Sequence, residues 1–249
     1  MLPVALVAKG NYQGRFAEMP PLLDTLIKGY RALPPKADAD LAALGLARAY
    51  NMLGDARYFL GSPTDALTTY RQAAAVLEQA QARRRDVRIL DVLAFTQFNI
   101  ASTLQELGRA PEELAAIRRG VEVSDILNTF ETSPRARHVD NIVRMQLAVA
   151  LSDNGRHSEA IATALAGVGA RRAAARERPD DYNVARGVPV GLKPLGEIYL
   201  AAGRRADACA AYRDAIRSWR DLQARVALNG FDGGPELKEV EGKAKAACS

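Results

Sequence analysis

Two histidines, His138 and His157, stand 19 residues apart. Imidazoles can hold a metal or carry a proton, so this pair is the first place to look for chemistry. Neither HExxH nor paired CxxC accompanies it, and zinc needs three or four such ligands. His157 follows Gly155-Arg156 and reads as an exposed loop residue, while His138 could open a helix and is also expected at the surface. Asp180-Asp181 in ERPDDYNVARG are neighbouring carboxylates of the kind used in acid–base work. They read instead as part of a loop between helices. Ser, His and Asp all occur, yet no G-x-S-x-G elbow sets a nucleophile, and no GxxxxGK[ST] loop cradles phosphate. No catalytic residue, cofactor or metal ligand is assigned.

Charge offers a second kind of chemistry. The formal net charge is +5, and arginine runs supply much of it: Arg83-Arg84-Arg85 with Arg88, Arg171-Arg172 with Arg176 and Arg178, and Arg204-Arg205. Such runs attract polyanions. The first two lie where long helices should end, and cations there complement the helix dipole. With no basic stripe interleaved with aromatics, nucleic acid is a disfavoured partner. The two cysteines, Cys209 and Cys248, are too few for a disulfide framework. They leave open either free thiols or one bridge in an oxidising compartment. The opening MLPVALVAKG is too short for a secretory signal. No window holds the ~18 apolar residues of a membrane span. The cytoplasm is therefore the first expectation, and the periplasm is expected if a span precedes residue 1.

What must position any site is a repeat. Gly14, Gly61, Gly108, Gly155 and Gly203 follow one another at intervals of 47 or 48 residues. Eight residues before each lie Leu6, Leu53, Ile100, Leu147 and Leu195, and seven before lie Val7, Gly54, Ala101, Ala148 and Gly196. Four before lie Leu104, Leu151 and Tyr199, which completes an apolar helical stripe. Each glycine then closes that helix, since a left-handed residue costs glycine almost nothing. A polar turn follows, with Ser62-Pro63 as cap and first-turn proline and Pro111 in the same place. The second helix places Ala66, Ala160 and Ala208 at a small position. Leu23, Tyr70, Ile117 and Tyr212 then fill a large position, and Ala73, Gly120, Gly167 and Ala215 a further small one. Helices are expected at Thr64 to Arg84 and Val87 to Leu107. No single pair can bury both its faces, so pairs must stack.

Residues 192–215 carry the clearest signature: Leu192, Leu195, Gly196, Tyr199, Gly203, Ala208, Tyr212 and Ala215. Tyr50, Leu53, Gly54, Ala66, Tyr70 and Ala73 repeat it one unit in. This pattern resembles the tetratricopeptide repeat, across nearly the whole chain. The resemblance implies an all-α, right-handed superhelical solenoid of about five helix-turn-helix pairs. Units fall near 1–46, 47–93, 94–140, 141–188 and 189–234, closed by a capping helix over 235–249. The period exceeds the family's usual ~34 residues, which implies longer helices. The first unit is degenerate: Pro3 interrupts its leading helix and Gly10 precedes Gly14.

By the family's pattern, leading helices line a groove that suits an extended peptide or a partner helix. Its positions here are Arg48, Asn51, Asp55 and Tyr58; then Phe95, Phe98, Ser102 and Gln105; then Ile142, Met145, Val149 and Ser152; and finally Lys193 and Glu197. That is a polar entry, an apolar centre and a charged exit. Helical spacing alone leaves Phe95, Phe98 and Met145 equally suited to core packing. The lysine and asparagine clamp by which some family members hold a terminal carboxylate is not rebuilt. The expected role is non-catalytic capture of a protein, peptide or small ligand. The run IYLAAGRRADACAAYRDAIRSW resembles repeats attached to bacterial signalling proteins, including membrane-linked serine/threonine kinases and winged-helix regulators. Such an effector, with any membrane contact, would precede Met1. Alternatives are a nucleic-acid-associated regulator and a homodimerisation module using the poorly capped first pair.

Overall fold

Apolar stripes broken by a glycine every 47 residues fold as helices joined by tight turns. The computed structural model describes residues 12–34, 38–225 and 232–249, so the expectations on Pro3, Leu6, Val7 and Gly10 lie outside the described residues. The helices are α1 (Tyr12–Arg31), α2 (Ala39–Phe59), α3 (Pro63–Arg83), α4 (Val87–Glu106) and α5 (Ala110–Phe130). After them come α6 (Pro134–Asp153), α7 (His157–Glu177), α8 (Tyr182–Ala201) and α9 (Arg205–Arg225). A π turn at Asp232–Glu236 then leads into α10 (Leu237–Cys248). Among the described residues all regular structure is helical. The expected unit limits fall inside α2, α4, α6 and α8, whereas the turns fall between helices.

The corners repeat one geometry. Gly61, Gly108, Gly155 and Gly203 take φ between +68° and +80°. At each, the residue after the glycine donates its N–H five residues back: Ser62 to Arg57, Arg109 to Leu104, Arg156 to Leu151 and Arg204 to Tyr199, at 2.8–2.9 Å. This closure satisfies carbonyls that a helix end otherwise strands. Three corners add a clamp, with Arg109, Arg156 and Arg204 pairing with Glu112, Glu159 and Asp207 three residues on. Gly14 does not form a corner; it lies within α1. Ser62 contributes no side-chain cap bond to α3, where Pro63 alone marks the start. Aspartates cap leading helices instead: Asp38 on α2, Asp86 on α4 and Asp181 on α8 accept first-turn N–H groups. The Asp180-Asp181 pair thus lies in the connection between α7 and α8, as expected, with Asp181 as the cap.

Close approach explains the small positions. A Cβ on Gly54 would lie 2.4 Å from the Tyr70 ring, and one on Gly196 would lie 2.4 Å from Tyr212. Each tyrosine therefore lies flat against a leading helix that has no side chain there. Contacts gather the described residues into two compact units, 12–146 and 147–249. In the first, α1 packs on α2, α2 on α3, α3 on α4 and α4 on α5. In the second, α7 packs on α8, α8 on α9 and α9 on α10. Trp219 and Leu222 of α9 and Ala185 of α8 are buried together, with Tyr182, Val190 and Leu237 packed around them.

Candidate functional site

Within residues 12–146 the leading helices stand side by side in register. Asn51 of α2 donates to Thr96 Oγ1 of α4 at 2.8 Å, and further along Tyr58 hydrogen-bonds Glu106. From α4 to α6, Arg135 pairs with Asp91 at 2.9 Å, and Gln146 donates to Gln105 at 3.3 Å. Sequence separations of 41 to 48 recur in these ties, so they follow the repeat. Few such side-chain pairs are visible in the sequence without the register the fold supplies.

On this face the expected positions divide by exposure. Asp55, Tyr58, Phe95, Phe98, Ser102 and Ile142 are half-buried, and Arg48 and Gln105 are exposed. The Phe95 and Phe98 rings lie tilted against each other at 5.6 Å between centroids, and the Arg135 guanidinium sits over Phe95 at 5.8 Å. Asp55 accepts a 2.7 Å hydrogen bond from Tyr70, which its hairpin partner α3 supplies. Burial pushes the Asp55 carboxyl up to about 6, with the Tyr70 bond pulling the other way. Burial pushes the Tyr58 hydroxyl up to about 12, helped by Glu106. Two expected groove residues are core instead: Met145 is buried, and Asn51 is buried with its amide spent on Thr96. Glu113 went unnoticed in the sequence. It occupies the small position held elsewhere by Ala66, Ala160 and Ala208, is fully buried, and accepts from Gln146 at 2.8 Å.

In residues 147–249 the remaining positions have another fate. Val149 is half-buried, and Ser152 is buried, 3.4 Å from the His157 ring. His157 itself opens α7, half-buried, and is no loop residue; His138 lies exposed on α6. Lys193 and Glu197 do not form an open exit. Lys193 pairs with Glu239 at 2.8 Å and Glu236 at 3.6 Å, and Glu197 with Lys243 at 2.9 Å, so α10 lies over both. Cys209 of α9 and Cys248 of α10 are joined as a disulfide. Both are half-buried.

The arginine runs are largely engaged. Arg83 pairs with Asp40, Arg88 with Asp86, Arg172 with Asp214 and Arg178 with Asp181. Arg171 does not end a helix but reaches from α7 to the Gly187 carbonyl of α8, and burial lowers its guanidinium to about 10. Successive trailing helices are tied in the same manner, by Arg71 to Glu112 and Arg119 to Glu78. Arg83, Arg172, Arg71 and Arg119 thus hold helices to one another, while Arg88 and Arg178 are spent locally at helix ends. No three metal-ligating side chains group together among the described residues. No described helix is long and apolar enough to cross a membrane.

A family profile for the tetratricopeptide repeat matches residues 47–76, from mid-α2 through most of α3. Among solved structures, BtubC (BKLC) from P. vanneervenii is similar with a TM-score of 0.63 at 15% identity, over 93% of this chain and 87% of that one. TPR-like repeats from a Podosopora anserina protein designated a kinesin light chain give 0.56 at 19% identity, over 88% and 92%. The chain has a tetratricopeptide-like repeat fold. A Rap protein complexed with competence and sporulation factor is also similar, with a TM-score of 0.52 at 13% identity over 95% and 74%. No curated protein matches the chain by sequence. Its tetratricopeptide-like pairs are built of helices of 20 and 21 residues, which accounts for the period exceeding ~34.

Proposed function

We propose that this tetratricopeptide-like chain captures a peptide segment of a protein partner on the leading-helix face of α2 and α4. The Phe95–Phe98 ring pair carries the reading. Its partly exposed apolar rings lie on a face whose other members include Tyr58 and Ser102, polar and also partly exposed, and the desolvated Asp55. An apolar anchor bordered by polar groups is the usual anatomy of a binding patch. The desolvated Asp55 carboxyl, with Glu106 beside Tyr58, favours a basic residue in the bound segment. The Rap structure, which holds a signalling factor, is a precedent for this use of the fold. Nothing on the face supplies a nucleophile with a base, so binding rather than turnover is the assigned activity. The resemblance of 198–219 to repeats of bacterial signalling proteins supports a sensory or scaffolding role in such a protein. The Cys209–Cys248 bridge supports an oxidising compartment over the cytoplasm first expected.

The test is selection from a random peptide library on the wild-type chain, followed by titration against Phe98→Glu. Enriched peptides should combine an apolar with a basic residue and lose at least tenfold in affinity for the variant, with thermal stability preserved. Peptides that bind both proteins equally would defeat the reading. Tight, steeply salt-dependent binding to a DNA duplex would point to the polyanion alternative.

A further inference from the structure

Helix α10 is held by a covalent bond as well as by packing, and its packing is thin. It has 12 residues, near the length below which isolated helices do not persist. Gly242 within it weakens it further. It buries only Val240, Ala244 and Ala247 fully. Of its ion pairs, Arg220–Glu241 is exposed and contributes little, and Lys193–Glu239 and Lys243–Glu197 are partly open to solvent. Arg205 of α9 adds bonds to the Ala246 and Ala247 carbonyls in its last turn. Leu237 at the start of α10 packs against the Trp219–Leu222–Ala185 cluster and Lys193 pairs with Glu236 just before it, while the bridge from Cys209 to Cys248, across 39 residues of chain, ties its far end. Beneath α10 lie Lys193 and Glu197, the α8 positions equivalent to the groove-lining ones on α4. Tyr212 lies close by, its hydroxyl pushed up by burial and by Glu197 and Glu239.

We propose that the Cys209–Cys248 bridge is a thiol-operated latch that keeps α10 closed over the end of the α8–α9 pair. A dithiol reductant opens it. One reductant thiolate attacks a bridge sulfur, forming a mixed disulfide and releasing the other cysteine as a thiolate that takes a proton. The reductant's second thiol, giving up its own proton, then displaces the remaining cysteine. The S–S bond of the protein is broken, one forms in the reductant, and two electrons and two protons end on Cys209 and Cys248. Both cysteines are half-buried residues rather than members of the sealed core. Once open, α10 leaves and uncovers Lys193 and Glu197. That last consequence rests on the groove reading; the latch itself does not.

Hydrogen exchange on the full chain tests it, comparing air-oxidised protein, protein in dithiothreitol, and Cys248→Ser without reductant. Amides of 237–248 should exchange faster by tenfold to several hundredfold once the bridge is cut, the upper figure being the loop-closure entropy of a bridge of this span. Exchange in α7 and α8 should stay unchanged, Cys248→Ser should match the reduced protein, and reoxidation should restore protection. Equal protection of α10 with and without the bridge would overturn the proposal, since packing alone would then hold it. Loss of protection throughout 147–249 would also overturn it, because the bridge would then be a staple of the whole unit. So would two titratable thiols in the air-oxidised protein.

Discussion

Gly54→Ala is a single-methyl probe of how the hairpins close. The added Cβ would lie 2.4, 2.6 and 2.9 Å from three carbons of the Tyr70 ring, against about 3.5–4.0 Å for an optimal carbon contact. The ring cannot slide aside freely, since its hydroxyl is held by Asp55 at 2.7 Å and the residue is buried. Either α2 and α3 part by about an ångström, or the Tyr70–Asp55 bond is lost; overpacking of this kind costs ~1–3 kcal/mol. Alanine's better helix propensity returns ~1 kcal/mol, leaving a net loss of up to ~2 kcal/mol. Gly169 of α7 gives the opposite sign, because a Cβ there meets nothing within 4 Å, and Gly169→Ala should gain ~0.5–1 kcal/mol. Urea unfolding followed by circular dichroism should show the midpoint falling for Gly54→Ala and rising for Gly169→Ala, with slopes unchanged. In a Tyr70→Leu background the cost of Gly54→Ala should shrink. If Gly54→Ala raises the midpoint as Gly169→Ala does, the flat seating of tyrosine on glycine is not what sets the helix spacing.

Asp55 sets a pH dependence. Its folded value of about 6 lies above the ordinary 3.8, so folding favours the neutral acid; that contribution is full below about pH 4 and is lost as pH rises through 6. Ionised Asp55 then costs up to ~3 kcal/mol, and Asp55→Asn should melt at a higher temperature than wild type at pH 7.5 while the two converge below pH 4; parallel melting profiles across that range would refute the burial argument. Gly108→Ala must place a side chain at φ +68° and should cost ~1–2 kcal/mol in urea titration. Gly108→Asn should cost less, and equal costs would mean that the left-handed corner is not the reason for glycine there.

Four corners, the tyrosine seats and the bounds of α3 and α4 to within a residue were legible in the sequence, because each is decided within one hairpin by the chemistry of a few residues. Gly14 misled for the same reason. The spacing asks for a corner there, but a glycine only permits a left-handed turn, and the residues around it continue as α1. Asn51 and Phe95 show where local reading stops. Both sit at expected groove positions of leading helices, yet Asn51 is sealed against Thr96 while Phe95 stays partly exposed. Helical period fixes which way a residue faces relative to its own partner helix, but not what lies across from it. Glu113 shows the reverse, a carboxylate tolerated at a small buried position because Gln146, from the next leading helix, donates to it.

The same dependence on distant neighbours decides which helix face is free to bind. Phe98 of α4 and Lys193 of α8 occupy comparable places in their repeats. Over Lys193 the chain has laid α10, with a carboxylate at 2.8 Å and a disulfide tying that helix; Phe98 touches Phe95 and remains partly exposed. Lys193 therefore already has a tethered partner, so an incoming peptide must displace α10 before it can bind there. A ligand at the α2–α4 face displaces only water. Affinity for a peptide at Phe95 and Phe98 should accordingly be the same whatever the state of the cysteines.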